Sequence, residues 1–350
     1  MAPESNAGDE HFTLQDIADV TGYARSTVSL ALRNHPSLPA ETREKIHAAA
    51  EKMGYRPNPL VAALMTQLRC KKPCGTETIA LLNLSGKPAA ELSKKDLFYK
   101  QLFAGIETAA EAMGVTIDEI IATQEMSGRT MSRILTARGI HGVLLFPGRS
   151  IEETEEAPDL NPFTVVQIGF GGRTPFHRVV ADYTHDIDLA LKTVRDAGIK
   201  KLGFAASALR DRSADYGWSS RFLLDQARQP RSAHIPFIKK CGPEFTRDEF
   251  MTWFERYKPE TILVAGTREY DWLKEAGVRI PQDCGIINLC QRENPGMAGI
   301  DPCTNEVGRA AVELLMSLLQ SNRIGLPEFP RLISIQGKWI DGESFKAAGK

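Results

Sequence analysis

Apolar residues recur at two different periods along this chain, and the period changes near Thr78. Before that point they fall three and four apart. Leu14, Ile17 and Ala18 make one short stripe in "LQDIADVT", and Val28, Ala31 and Leu32 make a second in "RSTVSLALRNHP", Arg25 to Pro36. Ile46, Ala49, Ala50 and Met53 make a third in "ETREKIHAAAEKMG". Such spacing predicts three amphipathic helices. Thr13 followed by Asp16 predicts a capping box at the start of the first. Gly22 supplies the left-handed backbone that ends it in a tight turn, and Gly54 stops the third. "YRPNP" then breaks the pattern, "LVAALMTQL" resumes a short helix, and "RCKKPCGTE" is a polar linker.

Beyond Thr78, apolar runs of strand length alternate with segments of helical length. The strand candidates are "IALLNL", "VTIDEII", "GVLLF", "FTVVQIG", "RVVA", "KLGFAA", "HIPFI", "TILVA", "GIINL" and "LISIQGKWI". The helices between them include "LFYKQLFAGIETAAEAM", "DIDLALKTVRDAG", "SRFLLDQAR", "FMTWFERY" and "NEVGRAAVELLMSLLQ". Continuous apolar strands separated by helices predict parallel sheets covered on both faces. About 260 residues is large for one open sheet, so two Rossmann-like lobes fit better. The expected organisation is a lead over 1–11, an all-α headpiece over 12–57, a hinge helix and linker over 58–76, a two-lobed α/β core over 77–341 and a tail over 342–350.

Composition narrows the class. The chain has 350 residues, 42% apolar and 25% charged, an ordinary globular balance with room for more than one domain. No apolar run approaches the roughly 18 residues a bilayer span requires. The opening "MAPESNAGDEH" lacks the basic and apolar regions of a secretory signal, so a disordered lead and a cytoplasmic protein are expected. The six cysteines (Cys70, Cys74, Cys241, Cys284, Cys290 and Cys303) are scattered and predict reduced thiols. Cys70 and Cys74 form a CxxxC with no second pair to complete a zinc site; a redox switch is the alternative.

The formal net charge of −1 conceals a local bias, because Phe12 to Lys72 carries nine basic and five acidic residues. A basic front on a neutral body points to a polyanionic partner. The second helical stretch sharpens this. Its apolar stripe is thin, and the rest of its circumference holds Arg25, Ser26, Thr27, Ser29, Arg33 and Asn34 with no carboxylate. Two helices joined at Gly22, the second short and polar outside, describe a helix-turn-helix whose second helix enters the major groove. Arg25 can fork onto guanine O6 and N7, while Ser26 and Ser29 can donate to bases or phosphates. The competing reading is a small helical bundle whose surface helix merely lacks acids.

The stretch from Phe12 to Met65, with "IA", the turn glycine, "STVS", "TREKI", "GYRPN" and "AALM", resembles the DNA-binding headpiece of the LacI/GalR family of bacterial transcriptional regulators. The downstream alternation is similar to that family's periplasmic-binding-protein-like core, so the resemblance covers nearly the whole chain. It implies a homodimeric regulator, a repressor, that binds double-stranded operator DNA of pseudo-palindromic sequence and responds to an effector between the lobes. No cofactor and no membrane partner are implied. The DNA contacts it implies are Thr13, Arg25, Ser26, Thr27, Ser29, Leu30, Arg33, Asn34, Tyr55, Asn58, Ala62 and Leu64. Leu64 occupies the hinge position whose leucine wedges into the central base step, at a cost of a few kcal/mol of unstacking.

Departures from the family pattern shape the expectation further. Ala24 stands where a capping serine is common, so the recognition helix lacks its side-chain cap. Leu30 stands where an arginine is common and can offer only apolar contact, for example to a thymine methyl. In the core, the resemblance implies effector contacts at Arg221, Tyr99 and Gln291, with a salt-bridged helix arginine as the other reading of Arg221. The pair "ND" expected after "TILVA" is replaced by Gly266, Thr267 and Arg268, and the acid expected after "GIINL" by Cys290 and Gln291. Losing those acceptors argues against a simple sugar.

An enzyme is not expected. "GFGGR" lacks the GxGxxG spacing, and GxxxxGK[ST], GxSxG and HExxH are absent. The C-terminus has no leucine heptads, which argues against a tetramer closed by a terminal coiled coil. A sensing module for a solute or protein partner, without specific DNA readout, remains the alternative function.

Overall fold

The computed structural model describes residues 13–32, 38–53, 55, 77–122, 126–146, 159–171, 174–238, 244–290 and 296–346. The expected hinge helix, the CxxxC linker and the candidates Arg33, Asn34, Asn58, Ala62, Leu64 and Gln291 lie outside the described residues. The chain divides into two compact units, Met1–Gly75 and Thr76–Lys350.

The first unit holds α1 (Leu14–Thr21), α2 (Arg25–Ala31) and α3 (Ala40–Lys52). The capping box at Thr13 and Asp16 is formed, and Gly22 (φ +72°) ends α1 by donating its N–H to the Ala18 carbonyl. The three stripes meet in a core of Ile17, Ala18, Val28, Ala31, Ile46 and Ala50. Each fully buried aliphatic side chain of Ile or Val size contributes about 1.5–3 kcal/mol, so this small core is enough to orient three short helices but has little to spare. A ring nitrogen of His47 lies 3.0 Å from the Ala31 carbonyl oxygen and ties α3 to the end of α2.

The second unit has two sheets. β1 (Glu77–Asn83), β2 (Val115–Ile121), β3 (Gly142–Phe146), β4 (Thr164–Ile168), β5 (His177–Ala181) and β10 (Leu332–Ile335) form a parallel sheet in the order β10-β5-β4-β3-β1-β2. This first lobe packs α5 (Leu97–Met113) and α12 (Thr304–Gln320) on one face and α6 (Gly128–Ala137) on the other; α4 (Ala89–Lys95) precedes α5. In the second lobe β6 (Leu202–Ala205), β7 (Thr261–Val264), β8 (Gly285–Asn288) and β9 (Ala298–Asp301) are parallel. The antiparallel β11 (Lys338–Ile340) closes its edge beside β9. α7 (Tyr183–Asp196) and α9 (Gly217–Ala227) cover one face of that sheet, and α10 (Arg247–Tyr257) and α11 (Arg268–Glu275) the other; α8 (Ala208–Ser213) leads into α9. The central strands β3, β4, β7 and β8 are buried along their whole length, which explains the continuous apolar runs.

Three expectations change. "HIPFI" is not a strand: the Ile235 carbonyl accepts from Gln226 Nε2 and the Pro236 carbonyl from Trp253 Nε1, so side chains satisfy its backbone instead of a ladder. "LISIQGKWI" is not one strand but two, β10 and β11, in different sheets, because the chain changes lobe at Gly337. Finally, β9 was not foreseen, since "AGID" is too short and small to register as an apolar run. The chain therefore passes between lobes in three connectors, after β5, after β9 and after β10.

Candidate nucleic-acid interface and ligand cleft

α2 buries Val28 and Ala31 completely and turns Arg25 and Ser26 to solvent, with Thr27, Ser29 and Leu30 half-buried beside them. Its first turn holds no acid, and Arg25 has no hydrogen-bond or ion-pair partner among the described residues. Ala24 sits at the N-cap with extended backbone (φ −62°, ψ 145°) and makes no side-chain cap bond. The positive end of the α2 dipole is therefore left without the usual hydroxyl or carboxylate acceptor. Three acids of this unit are engaged elsewhere. Asp16 accepts from the Thr13 N–H at 2.6 Å and hydroxyl at 2.8 Å, and that backbone bond, with the hydroxyl adding to it, holds its carboxyl below the usual range. Asp19 accepts from Gln15 at 2.8 Å, and Glu41 pairs with Lys45 at 2.8 Å.

Thr13 is exposed but its hydroxyl is used in the capping box, so a contact from it to another molecule would run through its remaining acceptor capacity. Tyr55 packs against the headpiece core and its N–H donates to the Ala50 carbonyl at 2.9 Å. The sequence thus gathers Arg25, Ser26, Thr27, Ser29 and Leu30 on one short helix, with Thr13 at the cap of α1 and Tyr55 against the headpiece core.

In the core, Tyr99 lies half-buried in an aromatic group with Phe98, Phe103 and Phe146, and its ring meets Phe146 edge-on at 5.8 Å. Phe146 ends β3, so this group sits at the carboxyl edge of the first sheet, where open α/β sheets bind ligands. A second aromatic chain, Phe170–Tyr183–Trp218, runs from the end of β4 through the first connector to α9, with centroids 6.3 and 5.2 Å apart. Arg221 faces Asp188 of α7 at 3.7 Å with both side chains about half exposed, so its guanidinium is engaged in a helix-to-helix ion pair.

Several polar groups that sequence reasoning missed are buried near these strand ends. Asn83 closes the turn after β1, donating to Glu119 at 2.7 Å and to the Lys87 carbonyl, and accepting from the Ser85 N–H. Asn288 does the same after β8 for the Cys290 N–H. Glu269, 3% exposed, follows β7, and burial raises its carboxyl above the usual range. Asp186 is fully buried on α7. One signal could have found it: Asp186 falls four residues before Ala190 on the stripe of Ile187, Ala190, Leu191 and Val194, an acid where the helical period asks for an apolar side chain. Among the described residues, no cluster of His, Cys, Asp and Glu could hold a metal ion and no helix is long and apolar enough to cross a membrane.

Residues 13–58 match the family model of bacterial regulatory proteins, lacI family, and residues 188–345 match that of the periplasmic binding protein-like domain. Catabolite control protein A of Priestia megaterium is 22% identical over 332 residues, covering 89% of this chain and 94% of that protein. Among solved structures, the complex of the transcriptional regulator CelR with cellobiose superposes with a TM-score of 0.56 at 17% identity, covering 96% of this chain and 100% of CelR. The lac repressor dimer bound to operator and the anti-inducer ONPF superposes with a TM-score of 0.57 at 16% identity, covering 96% and 99%.

Proposed function

Because this chain belongs to the LacI family of bacterial regulatory proteins, a family of DNA-binding regulators with an effector-binding core and not of enzymes, we propose that it represses transcription as a homodimer on a pseudo-palindromic operator. The observation that carries the reading is α2. It spends two buried residues on anchoring and leaves an arginine with no partner among the described residues, an exposed serine and an N-terminus without a side-chain cap. A helix so built meets phosphates without repulsion and presents Arg25 and Ser26 to base edges. One headpiece offers few contacts, so useful affinity needs two, and twofold pairing of protomers implies a site with matching symmetry.

Arg25, Ser26, Thr27, Ser29 and Leu30 carry the readout, extended by Arg33 and Asn34 and supported by Thr13, Tyr55 and Asn58, with Ala62 and Leu64 contacting the minor groove. The core is the sensor. Its ligand enters between the lobes near Tyr99 and Gln291. The engagement of Arg221 with Asp188 removes it from the first rank of ligand contacts unless binding breaks that pair. CelR is described bound to cellobiose; here the missing "ND" and acidic positions favour a ligand that asks for fewer carboxylate and amide acceptors than a sugar.

Selection of bound sequences from random duplex DNA tests the reading. Enrichment of one inverted repeat supports it; no enrichment supports the alternative, a sensing module whose headpiece has lost specific readout, which the uncapped α2 also favours.

A further inference from the structure

The three connectors between the lobes converge on one side chain. Asp186 Oδ1 accepts the Gly337 N–H of the third connector at 2.9 Å. A Cβ on Gly337 would lie 2.5 Å from that oxygen and 2.7 Å from the carbonyl oxygen of Asp301, which ends β9 and opens the second connector. The first connector is Asp182, which caps the helix that carries Asp186. Asp186 itself is fully buried, and its other oxygen, Oδ2, has no hydrogen-bond partner among the described residues. We propose that Asp186 is a proton-operated latch on the interlobe connectors: protonated, it holds them in the arrangement seen here, and ionised, it favours a rearranged hinge that admits water to the carboxylate.

The local charges support this. The charges that act on Asp186 are the carboxylates of Asp182, on the cap of its own helix, and Asp301, at the second connector; His185 lies beside Asp182, and the neighbouring Cys303 thiol feels Asp186, Asp301, Glu306 of α12 and Lys338 of β11. Both charges that act on Asp186 are negative, and Lys338 is exposed at the sheet edge. Burial is the largest influence and the Asp182 and Asp301 carboxylates add to it against the Gly337 N–H; together they push the Asp186 carboxyl up to about 7. An anion with a single donor and an orphan oxygen is costly in such a site, and hydration relieves the cost only if the packed backbones separate. Domain closure in two-lobed proteins is absorbed by a few connector residues, which is where the latch sits. The inference stands whether or not the chain reads an operator.

The test uses the full chain with a donor fluorophore at Met113 in the first lobe and an acceptor at Lys200 in the second, both exposed and both introduced as unnatural amino acids. Energy transfer is followed from pH 5.5 to 8.5. We expect one transition with a midpoint near 7, and an Asp186→Asn variant held at the low-pH value throughout. A flat profile in the parent protein, or an unchanged midpoint in Asp186→Asn, overturns the proposal. Should Asp186→Asn fail to fold, carbon-13 titration of the labelled aspartate carboxyls in the parent chain decides: a carboxyl at that position titrating near neutrality supports the latch, and one in the ordinary range near 4 overturns it.

Discussion

Asp182 and Asp186 lie one helical turn apart, and their carboxyls shift in opposite directions for a countable reason. Burial pushes the Asp182 carboxyl up, but bonds from the His185 N–H and the Thr184 and Ser334 hydroxyls outweigh it and hold it below the usual range. Asp186 has one donor among the described residues and no water-facing surface, so its carboxyl is pushed up, to about 7. The consequence for stability has a definite sign. A carboxyl raised in the folded state keeps a proton that the unfolded chain loses above about pH 4, so stability falls as pH climbs from about 4 to about 7 and is level beyond. The fall is at most on the order of 4 kcal/mol, about three units at 1.36 kcal/mol each. Urea denaturation across that interval should show a shallower fall in Asp186→Asn; identical slopes would contradict the assignment. At the other end of the chain, Arg25→Ala should cost about 1–3 kcal/mol on a selected operator and relax preference at one base pair. Equal loss on operator and random duplex would reduce Arg25 to a phosphate contact.

At the scale of elements, the headpiece was legible because its determinants are local. Thr13, Asp16, Gly22 and the three apolar stripes act within a few residues of themselves, and the structure uses each as expected. Ala24 makes the same point by default, and Ala24→Ser should add the missing cap and stabilise the headpiece by about 1 kcal/mol, read as a shift in its own unfolding transition. What could not be read locally was how distant segments meet. "HIPFI" has the composition of a strand, but Gln226 and Trp253 reach its carbonyls first. The break in "LISIQGKWI" follows from Gly337 passing between lobes, where no other residue fits against Asp186 and Asp301. The α5–α12 contact is equally hidden, since a Cβ on Gly308 would lie 2.3 Å from the Leu102 carbonyl oxygen and one on Gly105 would lie 2.0 Å from that of Asn305. Gly308→Ala should therefore destabilise the core by about 1–3 kcal/mol through forced separation of the two helices, measurable as a lowered Tm.

At the scale of the molecule, the candidate site was legible in proportion to how much of it lies on one element. Five of the twelve proposed DNA contacts, Arg25, Ser26, Thr27, Ser29 and Leu30, sit on α2, which a single stretch of sequence encodes. The candidate ligand contacts depend on distant segments instead: Tyr99 is held by Phe98, Phe103 and Phe146 and Arg221 is turned toward Asp188, just as Asp186 and Glu269 are buried by partners far away in the chain. A regulator needs that division, with a self-sufficient reader whose surface is fixed by local chemistry and a sensor whose connectors are poised between arrangements. On the proposed function, two readers on one duplex turn modest contacts into operator binding. The direct measurement is the native mass of the complex formed with a duplex recovered by site selection. Two protomers per duplex at moderate salt, with the complex lost on a scrambled sequence, is the predicted result. One protomer per duplex, or equal binding to the scrambled sequence, would contradict it.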